Sequence, residues 1–264
     1  MKKHLLFAAF LGLSMPALAQ PAAGRIHYEI TSRLDAPKVI GLDGVVLKPG
    51  SPGYPELPDA ITRGMTLLYG KAYAREEEAE GGIQVLGNAP ESAGATPPPT
   101  SQRALDPAAF RPTFSETIYA NLAEHTQMRV IAVGQAARYR TEAPYATPAD
   151  WRETGRRKAI AGLNCREAKA TLKGAHYTAW FTTELPFTYS PVREMAPPRG
   201  VVLLLENEKQ QYRATKLDAK AVAETELQPP SDARLVGPAE LAEVRDKAKA
   251  DFMRQLVDGA AQKQ

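Results

Sequence analysis

Residues 165–183 have the sequence CREAKATLKGAHYTAWFTT, and this stretch decides the fold. Its first half alternates apolar with polar side chains, so Ala168, Ala170 and Leu172 share one face of a strand. Lys173 and Gly174 then form a turn, and the alternation resumes in the residues that follow. A period of two on both sides of a two-residue turn predicts an antiparallel hairpin.

The same spacing continues on both sides of this hairpin. Residues 157–160 predict a strand that leads into a turn at residues 162–164. Residues 200–206 are apolar enough to predict a central strand that is covered on both faces. Residues 210–217 follow after a short turn, so we expect an antiparallel meander across this part of the chain.

The N-terminal half carries further β signals. Alternating or β-prone stretches predict strands at residues 24–31, 64–74, 113–122 and 127–133, the last two forming a hairpin. Five prolines between residues 33 and 64 favour an irregular connection there. The triplet Glu76, Glu77 and Glu78 is interpreted as a solvated edge or turn, with a cation site as the alternative.

Two segments depart from the β pattern. Residues 88–112 are rich in Pro, Ala, Ser and Thr, which predicts an exposed flexible insertion with polyproline character. Between Leu241 and Leu256, apolar residues recur every three or four positions and predict an amphipathic helix at residues 238–258. We expect this helix to pack on the sheet, because a sheet must cover its apolar face.

The N-terminus has the pattern of a secretory signal peptide at residues 1–19. Two lysines precede an apolar run at residues 5–13, and a small-x-small motif ends at Ala19, where cleavage is expected. Gln20 rather than cysteine follows, so a lipoprotein is not predicted. No later stretch is apolar for 18 residues, so we expect a periplasmic or secreted protein, residues 20–264, without a transmembrane segment.

Composition limits the classes of partner. The 33 Lys and Arg residues nearly balance the 30 Asp and Glu residues, and two of the lysines belong to the signal peptide. A nearly neutral mature protein has no general attraction to nucleic acid, so no nucleic-acid partner is predicted. A hydrophobic content of 44% suffices for a core, and residues 20–264 are expected to form a single domain.

Few residues suggest chemistry. Cys165 is the single cysteine and cannot form an internal disulfide; we favour a buried apolar role over a reactive thiol, an intermolecular bridge or a metal ligand. A pairing of Cys165 with His176 across the hairpin is the alternative that would make an enzyme. His27 and Glu29 share a strand face, but two ligands do not hold a metal. No catalytic or cofactor motif is found, so we predict no enzymatic activity, no cofactor and no metal.

A spaced set of motif residues runs through the meander. It comprises Trp151, Lys158, Ile160, Gly162, Cys165, Ala168, Ala179, Trp180, Phe181, Thr182, Glu184, Pro186, Ser190, Pro191, Pro198 and Gly200. Together with the opening residues 24–29, this set resembles the GLPGLI family of exported bacterial proteins. The naming signature is altered here to APPRGVV at residues 196–202, and Leu163 and Asn164 stand where the family has Tyr and a variable residue.

The resemblance implies an exported, mostly antiparallel β protein without an established reaction. Its sheet is similar in style to curved-sheet envelope carriers such as the lipoprotein chaperones. The motif residues Trp151, Cys165 and Trp180 become candidate binding residues. The expected fold class is therefore mostly β (α+β), a curved antiparallel sheet built from hairpins with the amphipathic C-terminal helix packed on it.

The leading functional hypothesis is an exported, non-catalytic binding or accessory protein of the cell envelope, whose curved sheet faces a protein or an amphiphilic ligand. One alternative is a thiol-dependent enzyme that uses Cys165. Another is a structural module that docks to an outer-membrane transport partner through the Pro-rich insertion. An enclosed apolar groove of roughly 300 Å³ or more would favour ligand carriage, and its absence would favour docking.

Overall fold

The structure is a computed structural model that describes residues 23–35, 40–42, 45–47, 59–78, 84–86, 114–135 and 137–261. The predicted signal peptide at residues 1–19 and the predicted insertion at residues 88–112 lie outside the described residues. Most elements of the described chain are strands, which confirms the mostly-β fold class.

The described residues form fifteen strands and two α-helices. The strands are β1 (Gly24–Arg33), β2 (Ile40–Leu42), β3 (Val45–Leu47), β4 (Ala60–Tyr69), β5 (Tyr73–Glu78), β6 (Gln84–Leu86), β7 (Phe114–Asn121), β8 (Thr126–Val133), β9 (Ala137–Pro144), β10 (Arg152–Ile160), β11 (Leu163–Leu172), β12 (Ala175–Thr182), β13 (Val201–Glu206), β14 (Gln210–Asp218) and β15 (Arg234–Leu235). The helices are α1 (Glu224–Leu227) and α2 (Pro238–Ala261), and a short 3-10 helix spans Arg193–Met195.

One large open sheet contains thirteen of the described strands. Its order is β10-β11-β12-β13-β14-β1-β4-β5-β7-β8-β9-β15, with β6 paired to β4, while β2 and β3 pair only with each other in the described part. Adjacent strands are antiparallel except for β15, which runs parallel to β9. The expectation of a purely antiparallel sheet is therefore wrong at this edge, because β15 reaches β9 by a crossover rather than a tight turn.

The meander β10–β14 agrees with the sequence prediction. Its hairpins lie where the alternation placed them, with Lys173 and Gly174 in the turn between β11 and β12. The turn before β11 is one residue tighter than predicted, since Ala161 and Gly162 form it, both with positive φ. The prediction of a two-sided buried strand is confirmed in β13, where Val201 to Leu205 are all buried.

The N-terminal half differs from the prediction. The single strand expected at residues 64–74 is a hairpin of β4 and β5, closed by the Gly70 amide donating to the Tyr73 carbonyl at 2.9 Å. Apolar residues continue on both sides of this turn, so the alternation does not reveal it. The acidic triplet lies on β5 rather than in a turn, and β9 was not predicted at all.

The connection between β12 and β13, residues 183–200, packs into the main hydrophobic cluster. Leu185, Phe187 and Tyr189 join residues of β1, β4 and β13 there. Tyr189 also bridges to the start of β13, with its amide donating to the Gly200 carbonyl at 3.1 Å. Gly200 has φ +106, and a Cβ there would lie 2.2 Å from the Thr182 carbonyl oxygen, so glycine is required at this close approach.

The predicted C-terminal helix is confirmed as α2. Its first turns cover β8 and β9, where Leu241 packs with Ile131 and Val236 and is 4% exposed. No helix among the described residues combines the length and apolar character that a membrane crossing requires.

Candidate functional site

The three motif residues proposed from the sequence do not meet in one place. Cys165 and Trp180 belong to the main hydrophobic cluster. Trp151 lies with the second cluster, on the other side of the sheet, where its ring meets Phe181 edge-on at 5.6 Å between centroids. The structure therefore does not support a single binding site built from these residues.

Cys165 is buried, as predicted, with 1% of its surface exposed. Its Sγ–H points to the Leu163 carbonyl oxygen at 3.6 Å, and burial raises the pKa of the thiol to about 11. In the register of β11 and β12, His176 lies opposite Thr171, six residues from Cys165, which is about 20 Å along the strand. Cys165 and His176 therefore do not form a nucleophile and base pair.

Trp180 covers a buried carboxylate near the edge of the sheet. The Lys158 ammonium lies 4.0 Å from the centroid of the Trp180 ring, and the Arg156 guanidinium lies 5.6 Å away. Glu167, directly opposite Trp180 in the register, is 1% exposed and has a carboxylate oxygen 2.8 Å from Arg156. The largely exposed Arg156 guanidinium is thus the cation that pairs with the Glu167 carboxylate.

A second carboxyl group, which is partly buried, belongs to Glu76 on β5, and sequence reasoning missed it. Glu76 shares its strand face with Ala74, which is fully buried in the main cluster. The Tyr189 hydroxyl donates a hydrogen bond to Glu76 Oε1 at 2.9 Å. The interpretation of Glu76 as part of a solvated edge or turn is therefore wrong: strand alternation places this side chain on the face of Ala74 and places the exposed Glu77 on the opposite face.

Aromatic rings surround the Glu76 carboxyl group. The Tyr189 ring lies 6.3 Å from the Tyr28 ring and 6.1 Å from the Tyr145 ring, measured between centroids. The Tyr28 hydroxyl donates to the Val202 carbonyl oxygen at 2.8 Å, so it does not compete for Glu76. Tyr189 is thus left as the hydrogen-bond donor that fixes the carboxyl group.

Burial controls the protonation of this cluster. It raises the pKa of Glu76 to about 7, although the Tyr189 hydrogen bond and the charges of Arg129 and Arg63 favour the ionised form. Burial also raises the pKa values of Tyr28 and Tyr189, with the negative charge of Glu76 as the next cause. Near neutral pH the site therefore holds neutral tyrosines and a carboxyl group that is close to half protonated.

A half-open cavity of about 370 Å³ adjoins Glu76. Its lining combines charged, aromatic and aliphatic side chains from six adjacent strands and the 183–200 connection: Ile30, Arg63, Met65, Glu76, Glu77, Glu78, Glu116, Ile118, Arg129, Pro191 and Tyr212. Arg129 forms an ion pair with Glu116, and Arg63 lies 3.8 Å from Glu78. The cavity thus has two charge-paired walls and a floor at Glu76.

Two larger surface cavities, each of about 520 Å³, lie elsewhere on the sheet. One is lined by exposed ionisable residues of the β11–β12 side, including Asp150, Lys169 and His176, and the other includes Lys158 and Arg213. Neither is lined by Glu76 or its surrounding tyrosines, so the Glu76 cavity is the candidate site. Within the described ranges, no three His, Cys, Asp or Glu side chains converge as metal ligands do.

The fold and the cavity define a mostly-β protein with an open mixed sheet and a cavity beside a partly buried glutamate. No family model matches the sequence, and no curated protein matches it. Two solved structures of PNGF-II, from P21 and C2 crystals, are similar in fold, with TM-scores of 0.52 and 0.51. They are 11% and 12% identical over 86% and 84% of this chain, which spans about a third of PNGF-II (34% and 33%).

Proposed function

We propose that this protein is an exported, non-catalytic binding protein of the bacterial cell envelope, a divergent relative of the GLPGLI family. The observation that carries the proposal is the 370 Å³ cavity beside Glu76, which combines a partly buried acceptor with aliphatic residues among its charged lining. Cavities of this size hold small molecules or the head of a larger one.

We propose further that the sheet is curved around its main cluster. Cys165 on β11 and Ala120 on β7 belong to the same cluster, although six strands lie between β11 and β7 in the sheet order. A flat sheet would hold strands at these positions roughly 34 Å apart, since neighbouring strands are about 4.8 Å apart. Curvature and the inserted connection together account for the shared core.

The ligand class follows from the charges. Glu116 forms an ion pair with Arg129, Glu78 forms one with Arg63, and Glu77 forms one with Arg75. Among the described residues, Glu76 has Tyr189 but no cation within ion-pair distance. The site therefore suits a head group that donates hydrogen bonds, an ammonium or a hydroxyl group, and it disfavours an anionic head.

The apolar part of the ligand would lie on the aliphatic lining. Ile30, Met65 and Ile118 offer hydrocarbon surface, and the Tyr212 ring lies beside Ile30 in the register of β14 and β1. A ligand with a donating head and an apolar tail matches both parts. This supports an amphiphile rather than a fully polar solute.

The non-catalytic part of the proposal is supported by the position of the thiol. Cys165 is buried, its pKa is raised, and His176 is remote from it, which disfavours the thiol-dependent enzyme. The alternative of docking through the Pro-rich insertion concerns residues 88–112, outside the described part of the chain.

Three amphiphiles with the same octyl chain test the proposal: octylamine, octyl glucoside and octanoate. Each is titrated into the mature chain below its micellar concentration and followed by calorimetry. We expect octylamine and octyl glucoside to bind and octanoate to bind at least tenfold more weakly. If octylamine binds more tightly than octyl glucoside, the preferred head is an ammonium group. If octyl glucoside binds more tightly, the preferred head is a hydroxyl group. Equal binding of all three, or of none, would refute the ligand class.

The variant Glu76→Gln tests whether the amphiphile binds in the cavity beside Glu76. It keeps the size and the acceptor for Tyr189 but removes the charge, so octylamine binding should weaken at least tenfold. Glu124→Gln, an exposed residue between β7 and β8, is the matched control and should bind as the unmodified protein does. Unchanged octylamine binding in Glu76→Gln would place the ligand elsewhere.

Export is tested separately. Mass spectrometry of the protein purified from its native envelope should give an N-terminus at Gln20. Retention of Met1 would contradict the periplasmic assignment without bearing on the cavity.

A further inference from the structure

The strand β10 ends the sheet on the side opposite β15. It pairs with β11, and no other described strand lies on its outer side. Eight of its nine residues are exposed, and Ile160 is the buried exception. An edge strand of this length presents unpaired backbone donors and acceptors to a further strand.

The side chains of β10 make this edge strongly basic. Arg152, Arg156, Arg157 and Lys158 stand against one acid, Glu153, in a chain whose overall charges nearly balance. The cross-strand register adds to this, because Arg157 faces Arg166 and Arg152 faces Lys169. Like charges directly opposite each other repel, so the isolated fold carries an electrostatic cost here.

Only part of this charge is neutralised within the described structure. Arg156 pairs with Glu167, and Arg166 pairs with Glu153 at 3.0 Å. Arg152, Arg157 and Lys158 form no ion pair among the described residues. An external anion would relieve the repulsion between the facing cations.

The positive charge appears on both faces of the edge. Arg156 and Lys158 lie towards Trp180 and the main cluster. Arg157 lies towards Arg166, whose guanidinium is 4.8 Å from the centroid of Phe181 in the second cluster. A flat anionic surface would meet one face at a time, whereas an added strand projects side chains to both faces.

We propose that β10 is the docking edge for an extended, acidic segment of a partner protein, which adds to the sheet as a further strand. Backbone hydrogen bonds would hold the segment, and its acidic side chains would meet the basic rows on both faces. The docking length is centred on residues 156–160, because the break in register between Glu153 and Arg157, with Gly155 at φ +80, interrupts the strand before it.

The same charges oppose self-association. Two copies meeting edge to edge through β10 would place Arg and Lys side chains against Arg and Lys side chains. Basic edge residues therefore select against a second copy and for an acidic partner. This inference is independent of the Glu76 cavity, which lies on other strands.

The test uses a blocked, fluorescently labelled eight-residue peptide with the repeat Glu-Glu-Thr-Thr, which places Glu side chains on both faces of a strand, at low salt. We expect the peptide to bind the full mature chain and to slow hydrogen exchange of β10 amides at least tenfold. A peptide of the same sequence that is N-methylated at every residue keeps the charge but loses the backbone donors of both edges, and it should bind at least tenfold more weakly. Equal binding of both peptides would refute strand addition, as would binding to phosphatidylglycerol vesicles without binding to the peptide.

Reversing the charge of two β10 residues tests whether the peptide binds at this strand. The double variant Arg157→Glu with Lys158→Glu should lose at least tenfold in peptide affinity. The matched control reverses Lys247 and Lys249, two exposed residues of α2, and should bind normally. The melting temperature of both variants is measured alongside, and normal peptide binding by the folded β10 variant would overturn the proposal.

Discussion

Two carboxyl groups on the same large sheet, one buried and one partly buried, have opposite surroundings. Glu167, near the β10 edge, faces an arginine that is 71% exposed, so its charge is balanced by a solvated cation. Glu76, at the floor of the central cavity, faces a tyrosine hydroxyl, and its pKa rises to about 7. The comparison teaches that two carboxyl groups withdrawn from solvent can be accommodated in different ways, by an ion pair at Glu167 and by a hydrogen bond from a hydroxyl group at Glu76.

The largest expected effect is the dependence of the free energy of unfolding on pH that Glu76 causes. The pKa of Glu76 is higher in the folded than in the unfolded chain, so the folded state binds more protons between about pH 4.5 and 7. The favourable contribution of Glu76 to the stability of the fold is therefore complete below pH 4.5 and is lost as the pH rises through 7. Glu76→Gln should remove this loss and be more stable than the unmodified protein at pH 8 by about 3 kcal/mol.

Urea unfolding between pH 4 and 8 measures this effect. Glu78→Gln is the control, because Glu78 is 89% exposed on the same strand and should leave the pH profile unchanged. Parallel profiles for Glu76→Gln and the unmodified protein would show that the Glu76 carboxyl group is solvated.

The next effect concerns the pair at Glu167. Arg156→Met keeps much of the side-chain length over Trp180 but leaves the buried carboxylate without its cation. Because Arg156 is largely exposed, the expected loss of stability is about 2 kcal/mol, between the values for surface and buried pairs.

Adding Glu167→Gln should recover most of that loss, and Arg157→Met should cost less than about 0.5 kcal/mol. The free energies of unfolding of the unmodified protein, Arg156→Met, Glu167→Gln and the double variant form a double-mutant cycle. Strict additivity of the two substitutions would mean that Arg156 and Glu167 do not interact in solution.

The smallest effect concerns Cys165, which lies on the same strand face as Glu167 but carries no charge. Cys165→Ala should cost about 1 kcal/mol through lost packing. The native thiol should react slowly with a thiol reagent and rapidly in guanidinium chloride, since it is buried and its pKa is raised to about 11. Fast labelling of the folded protein with an unchanged melting temperature in Cys165→Ala would contradict this.

The local period of apolar residues was sufficient to predict the meander and the C-terminal helix. It also placed Glu167 correctly on the face of Lys169 and Thr171, but it could not show that Trp180 and Arg156 cover that face at one end. Cys165 is buried because its strand face belongs to the main cluster at this end of β11.

The Glu76 site could not be predicted, because its partners are distant in the chain. Tyr189 is 113 residues away, and no local pattern joins it to β5. The available signal was the strand parity of Ala74 and Glu76, which becomes visible only once the turn at Gly70 is recognised. The parallel pairing of β15 with β9 is likewise a tertiary effect.

The central position of β1 has a consequence for how the chain folds. β1 pairs with β4 nearby in sequence and with β14 almost at the other end, and Tyr28 bonds to Val202 across 174 residues. Such high contact order makes folding slow, since the entropy of closing the long loop is lost before the pairing forms. A chain emerging N-terminus first would expose one side of β1 until residues 210–218 arrive, so the sheet cannot be completed before those residues are synthesised.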